Sequence, residues 1–254
     1  MSTMPPTQVR VTQGVVVEIF SDWGNAGGGL YFLSKYGHVL FGIAWIGLLY
    51  FFNFVQVPAY AELSAGARTE AFDKVTWRAL WWFRMAAAAT FVTGALMWSI
   101  AGGDYSDAGL LSISWGSILG TTMFLNVWGI IWRNQKVNIT SMRTEGKPNA
   151  DAAKKAARAS RANALFSIPM LFFMVFTSHF APRYDVSGGK VAIAWIIFLA
   201  IWAFIEASAI GLIGGLDSPF NKWAFDTHKN TIIAGVAYWL ILLVICWELI
   251  IGGF

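Results

Sequence analysis

Charge is scarce in this sequence: only 13% of its 254 residues are Asp, Glu, Lys or Arg, about half of what a water-soluble domain carries. An ordinary soluble fold is therefore excluded. Cysteine is almost absent. The single Cys246 rules out an intrachain disulfide, a C-x-x-C-H attachment site for c-type haem and a thiolate metal cluster. Histidine occurs three times, which limits imidazole ligation to His38, His179 and His228. Residues 1–29 lack a charged start followed by an apolar stretch and a small-residue cleavage site, so no cleavable signal peptide is expected. There is no internal repeat and no appended soluble domain.

What is abundant is apolar and aromatic. Hydrophobic residues make up 57% of the chain, with 14 Trp and 20 Phe, and amphipathic rings favour membrane–water interfaces. Six stretches approach the roughly 20 apolar residues that cross a bilayer: Leu30 to Ala59, Trp77 to Ile100, Trp115 to Ile131, Ala162 to Ala181, Val191 to Ile213 and Thr231 to Ile251. Each must be helical, because a spanning segment satisfies its own backbone. The expected fold is all-α, an integral membrane bundle of about six transmembrane helices over residues 30–254, preceded by an N-terminal periplasmic or interfacial segment, 1–29.

The loops suggest an orientation. Arg133, Lys136, Arg143, Lys147, Lys154, Lys155, Arg158 and Arg161 face only Glu145 and Asp151 between the third and fourth spans. By the positive-inside rule this basic loop, 134–160, is cytoplasmic, and Arg68, Lys74 and Arg78 fall on the same side. Asp104 and Asp107 lie on the other, with both termini. In a bacterial inner (cytoplasmic) membrane that other side is the periplasm. The bias accounts for the net charge of +4 without nucleic acid as a partner; the bilayer is the partner it implies. Asp151 to Arg161, rich in Ala, Lys and Arg, reads as a helical extension of the fourth span.

His38 and His179 lie on different spans near the outer face. Two imidazoles from facing helices at one depth can ligate a haem iron from opposite sides. Gly42 and Trp45 share a helical face with His38; the glycine would leave room for a flat macrocycle and the indole would pack on it. The alternative is that both histidines merely face headgroups. Met174 is a second candidate for a sixth ligand. His228 reads as a solvated residue at the start of the last span. Arg84 and Glu206 are charges within spans, each counted about two turns from the cytoplasmic side. Equal depth predicts an Arg84–Glu206 ion pair, against an Arg84 that snorkels to the headgroups; a weaker reading makes Glu206 a proton carrier. Asn53, Gln56, Asn126 and Asn163 are expected to join helices by hydrogen bonds. Pro58 and Pro169 are expected to end or kink their helices.

Three segments carry a resemblance: HVLFGIAWIG in the first span, WWFRMAAAATFVTG in the second and SRANALFSIPMLFFMVFTSHFAP in the fourth. Together they resemble the membrane domain of the PuuD-type urate hydroxylase family, also described as cytochrome-c urate oxidase. In that family a cytochrome c domain follows the membrane domain. The resemblance implies a redox membrane protein in which His38 and His179 correspond to the family's motif histidines. Short membrane proteins with a similar first-helix motif bind haem b, so haem b is the cofactor it implies. This sequence holds no C-x-x-C-H, so a separate cytochrome c or the subunits of a respiratory complex are the expected protein partners. Three functions follow: a haem b electron-transfer protein near the periplasmic face, a urate or purine hydroxylase using a separate cytochrome c, and an accessory subunit of a larger membrane complex.

Overall fold

A computed structural model describes residues 23–180 and 184–252. Most of the expected terminal segment 1–29, both chain ends and the expected boundary at Ala181 lie outside the described residues. Helices dominate, and among the described residues there is no strand. In chain order they are α1 (Gly29–Glu62), α2 (Ala65–Asp104), α3 (Asp107–Glu145), α4 (Ala150–Phe180), α5 (Gly188–Ala209), a short α6 (Pro219–Phe225) and α7 (His228–Gly252). All but α6 are long and apolar enough to cross a membrane. The chain is thus an all-α, multi-pass membrane protein.

Local chemistry sets the boundaries. Ser64, Ser106, Asn149, Ser218 and Thr227 each accept a backbone N–H of the helix that follows, satisfying a donor the helix itself leaves orphaned. Gly146, at φ 68°, closes α3 in a left-handed conformation that costs a glycine nothing. Pro58 does not end its helix. It follows a wide, π-type turn over Phe51–Gln56, a spacing that accommodates disrupted helical bonding. Pro169 is likewise carried inside α4.

Two helices are much longer than their apolar cores. α2 spans 40 residues and α3 39, roughly 60 Å each at 1.5 Å per residue. The stretch expected as a loop, 134–160, is helical except for the turn at 146–149. Its Lys, Arg, Gln and Ala content favours helix, and outside the bilayer no apolar run is needed to keep it so. The expected extension over Asp151 to Arg161 is helix.

α4 is the centre of the bundle, with Asn163, Leu165, Phe166 and Ser167 all buried. α1 docks on it through Asn53 Nδ2, which donates to Ser160 Oγ at 2.8 Å, and through a Tyr50–Ser167 hydroxyl contact at 2.8 Å. α3 docks through Ser112–Thr177 at 2.7 Å and Asn126–Asn163 at 3.0 Å. Trp115 of α3 stacks on Phe198 of α5, with Phe173 and Trp247 edge-on to its ring. α7 comes closest at Gly235. A Cβ there would stand 2.8 Å from the Leu165 carbonyl oxygen and 2.7 Å from Ile168 Cδ1. Gly235→Ala must therefore push α7 off α4. We expect a loss of about 1–3 kcal/mol, read as a lower melting temperature in detergent. An unchanged melting temperature would mean that the two helices are not in this contact.

At the basic end, ion pairs tie the helices together: Arg143 with Asp73, Lys154 with Asp217, and Arg158 with Asp226. The first two are exposed and contribute little, although the Lys154 ammonium holds the Asp217 carboxyl below its usual range. Arg158 is different. Its guanidinium is buried and also donates to the carbonyls of Leu216 and Asn221, clamping the α5–α6 connection and α6 onto α4.

Candidate functional site

His38 is half-buried on α1 and turned toward α2. Its Nδ1 lies 2.9 Å from the Thr90 carbonyl oxygen. A carbonyl can only accept, so Nδ1 carries the proton and Nε2 keeps its lone pair. Thr93 Oγ1 stands 3.4 Å from the same nitrogen. The ring fits because residue 94 is glycine: a Cβ there would come within 2.9 Å of His38 Cε1. Gly94 was not singled out in the sequence. It sits in the WWFRMAAAATFVTG segment, but its role depends on which residue of α1 crosses it, and no pattern within α2 encodes that.

His179 is exposed near the end of α4, within a wide turn over Phe176–Phe180. Its Nδ1 lies 3.2 Å from the carbonyl oxygen of Val175, which again leaves Nε2 with its lone pair. No hydrogen bond joins the two histidines. Their relative position follows from the Asn53–Ser160 contact. From it, His38 lies fifteen residues along α1 and His179 nineteen along α4, about 22 and 28 Å of helix at 1.5 Å per residue. Both are on the side away from the basic end, within about one helical turn of each other as measured along their own helices.

The other expected neighbours of this site face protein. A Cβ on Gly42 would reach Thr90 Cγ2 at 4.0 Å, so the room beside it belongs to α2. Trp45 is buried in the core, with an enclosed Nε1 that has no partner. Met174 packs against α3 at Gly116. His228 is exposed at the start of α7, its ring 6.2 Å from that of Phe54.

α1 and α4 are joined along one stripe of each. On α1 the stripe runs Val39, Ile43, Ile46, Tyr50, Asn53; on α4 it runs Ser160, Ala164, Ser167, Leu171, with Val175 one turn on. These spacings keep one helical face. Toward the basic end both stripes are largely buried. Away from it they are not: Ile43 is 68% exposed and Val175 57%. The two apolar faces part on the side where the histidines lie.

The Arg84–Glu206 pair does not form. The Arg84 guanidinium lies over the Trp132 ring, 3.6 Å from its centroid, and its Nη1 is enclosed without a hydrogen-bond partner. Glu206 Oε2 instead accepts from Asn126 Nδ2 at 3.1 Å. Asn126 and Trp132 are six residues apart on α3, about 9 Å along the axis and on different faces. Depth counted from the ends of apolar runs misses this, because α3 offers each charge a nearer partner. Asn126 also donates to Asn163 Oδ1, and Asn163 donates to the Met123 carbonyl, so these amides join α3, α4 and α5 as expected. With no cation to lose, Glu206→Gln should cost no more than about 1 kcal/mol, the net value of one ordinary hydrogen bond. A loss near the 3–5 kcal/mol of a broken buried pair, measured by thermal unfolding, would mean that Glu206 does face a cation.

The family described as urate oxidase N-terminal matches residues 85–246. The chain belongs to this urate oxidase N-terminal family. Its matched stretch runs from α2 into α7 and holds Gly94, Asn126, Asn163, His179, Glu206 and His228. His38 precedes the stretch, on the helix that packs against its first part. No curated protein and no solved structure matches the chain.

Proposed function

We propose that this chain is a haem b-binding membrane redox protein, passing electrons near the face opposite its basic end. The observation that supports the reading is the shared state of His38 and His179. In each, Nδ1–H is held by a backbone carbonyl and Nε2 keeps its lone pair, the arrangement by which outer contacts fix the tautomer and ring orientation of an iron-ligating histidine. These two nitrogens would hold the haem. When bound, it supplies one-electron chemistry that the side chains cannot. The Thr90 carbonyl orients the His38 ring, and Gly94 leaves the space the ring occupies. The parted apolar faces of α1 and α4, Val39 and Ile43 opposite Leu171 and Val175, would exclude water beside it. Gly42 and Trp45 do not belong to this set, being turned to α2 and the core.

If the basic end is cytoplasmic, as the positive-inside rule implies, the histidines lie toward the periplasm of a bacterial inner membrane. A separate cytochrome c or a respiratory complex is then the fitting electron partner. Family membership favours a second reading, in which the electrons come from urate or a related purine as it is hydroxylated. An absorption spectrum of the purified protein tests the first, with reduced-minus-oxidised bands of a b-type haem expected. Urate-dependent reduction of added cytochrome c tests the second. A haem-free protein from haem-replete cells would overturn the first reading. A haem-loaded protein indifferent to urate would overturn only the second.

A further inference from the structure

Arg161 is a cation without a counter-charge. It is 6% exposed, and its Nη1 is enclosed with no hydrogen-bond partner. Among the described residues it makes no ion pair. Arg158, one turn away, is matched by Asp226 and two carbonyls and offers Arg161 nothing but repulsion. Burying a guanidinium without compensation is costly, and no anion among the described residues compensates this one.

The surroundings specify an anion that would. Arg161 follows Ser160, which holds α1 through Asn53. It lies four residues before Leu165, which holds α7 at Gly235, and four- and seven-residue spacing puts Arg161, Leu165 and Ile168 on one face. α7 therefore covers the Leu165 side of this face, and α1 and α7 flank the strip of α4 surface between it and Ser160. At its basic end Phe54 of α1 and His228 of α7 approach within 6.2 Å. Ile232 of α7 is exposed nearby, and Leu171 continues the surface away from the basic end. A cation at the level where the helices leave the apolar layer, with exposed aliphatic side chains beyond it, matches a molecule with a phosphate at one end and a hydrocarbon chain at the other.

We propose that Arg161 binds the headgroup phosphate of a phospholipid whose acyl chain lies against α4 between α1 and α7. The guanidinium fork suits phosphate oxygens, and the lipid supplies the missing negative charge. The headgroup contact does not depend on any haem at the opposite end, although the acyl chain would run toward Leu171, which also borders the proposed haem cleft. The test uses the full chain in a neutral sugar detergent. Phosphatidylglycerol is added in mixed micelles, and inorganic phosphate is added alone in a separate arm; melting temperature and retained lipid phosphorus are both read. Wild type should melt several degrees higher with the phospholipid, be unmoved by inorganic phosphate, and retain phosphorus through detergent washing. Arg161→Gln should lose the shift and most of the phosphorus. Lys155→Gln, on the exposed side of the same helix, should keep both. Equal shifts in wild type and Arg161→Gln, an equal loss in Lys155→Gln, a full response to inorganic phosphate, or no retained phospholipid in wild type would each overturn the proposal. If Arg161→Gln does not fold, Arg161→Lys decides: it keeps the charge without the fork and should show a smaller shift, so an undiminished one overturns the site.

Discussion

His38→Ala should be purified without haem, while His228→Ala keeps the full complement. His179→Ala should lose the spectrum of an iron held by two imidazoles and retain at most a weakly bound, five-coordinate form. The asymmetry comes from the two environments. His38 is half-buried and fixed to Thr90, whereas His179 is exposed and hydrogen-bonded only within its own helix. Gly94→Ala extends the test without touching a ligand. Its new methyl would meet the His38 ring at 2.9 Å, so the ring must shift and its bond to Thr90 is strained. Haem content should fall while far-ultraviolet circular dichroism stays helical. Haem lost only from His228→Ala would mean that the histidines proposed here are the wrong ones. Full haem in Gly94→Ala would mean that the orientation of the His38 ring is immaterial.

The largest effect on stability is expected from Arg158→Met. The change removes the partner of Asp226 and leaves the Leu216 and Asn221 carbonyls without their side-chain donor. Asp226 is half exposed and regains water, so its share is small. The Asn221 carbonyl is buried and that of Leu216 part-buried, and a buried polar group left unmade costs about 1–3 kcal/mol. A loss of about 3 kcal/mol is therefore expected. It should come with earlier proteolysis between α5 and α7, since α6 is held to α4 from there. Lys154→Met, which removes only the exposed contact to Asp217, should fall within about 0.5 kcal/mol of wild type. Equal losses in the two variants would show that the burial of Arg158 does not matter.

The six spans were legible because a bilayer demands long apolar runs, and no tertiary contact is needed to see one. Their full lengths were not. Beyond the apolar layer, α3 continues through Trp132–Glu145 as a water-facing helix, and hydropathy is blind to that. Polar pairing divided in the same way. That Asn53, Asn126 and Asn163 would join helices follows from where they lie. That Glu206 would take Asn126, leaving Arg84 to Trp132, depends on the lateral order of helices and on their relative rotation, which no single span encodes. His38 and His179 were visible as residue types at plausible heights. Gly94 was not, since a glycine among alanines says nothing until the imidazole crossing it is known.

The length of α2 and α3 has a mechanical consequence. Each is helical from one side of the membrane to well beyond the other, while the apolar layer takes up only about 30 Å of their roughly 60 Å. A helix that leaves the bilayer without a break has no joint at the surface, so the four-residue turn at 146–149 moves as the tip of a lever whose far arm is inside the membrane. A rigid tag placed there would magnify small changes in the tilt of α3 and α4. It would give a distance-based gauge of motion around Asn126 and Asn163 that needs no label within the lipid.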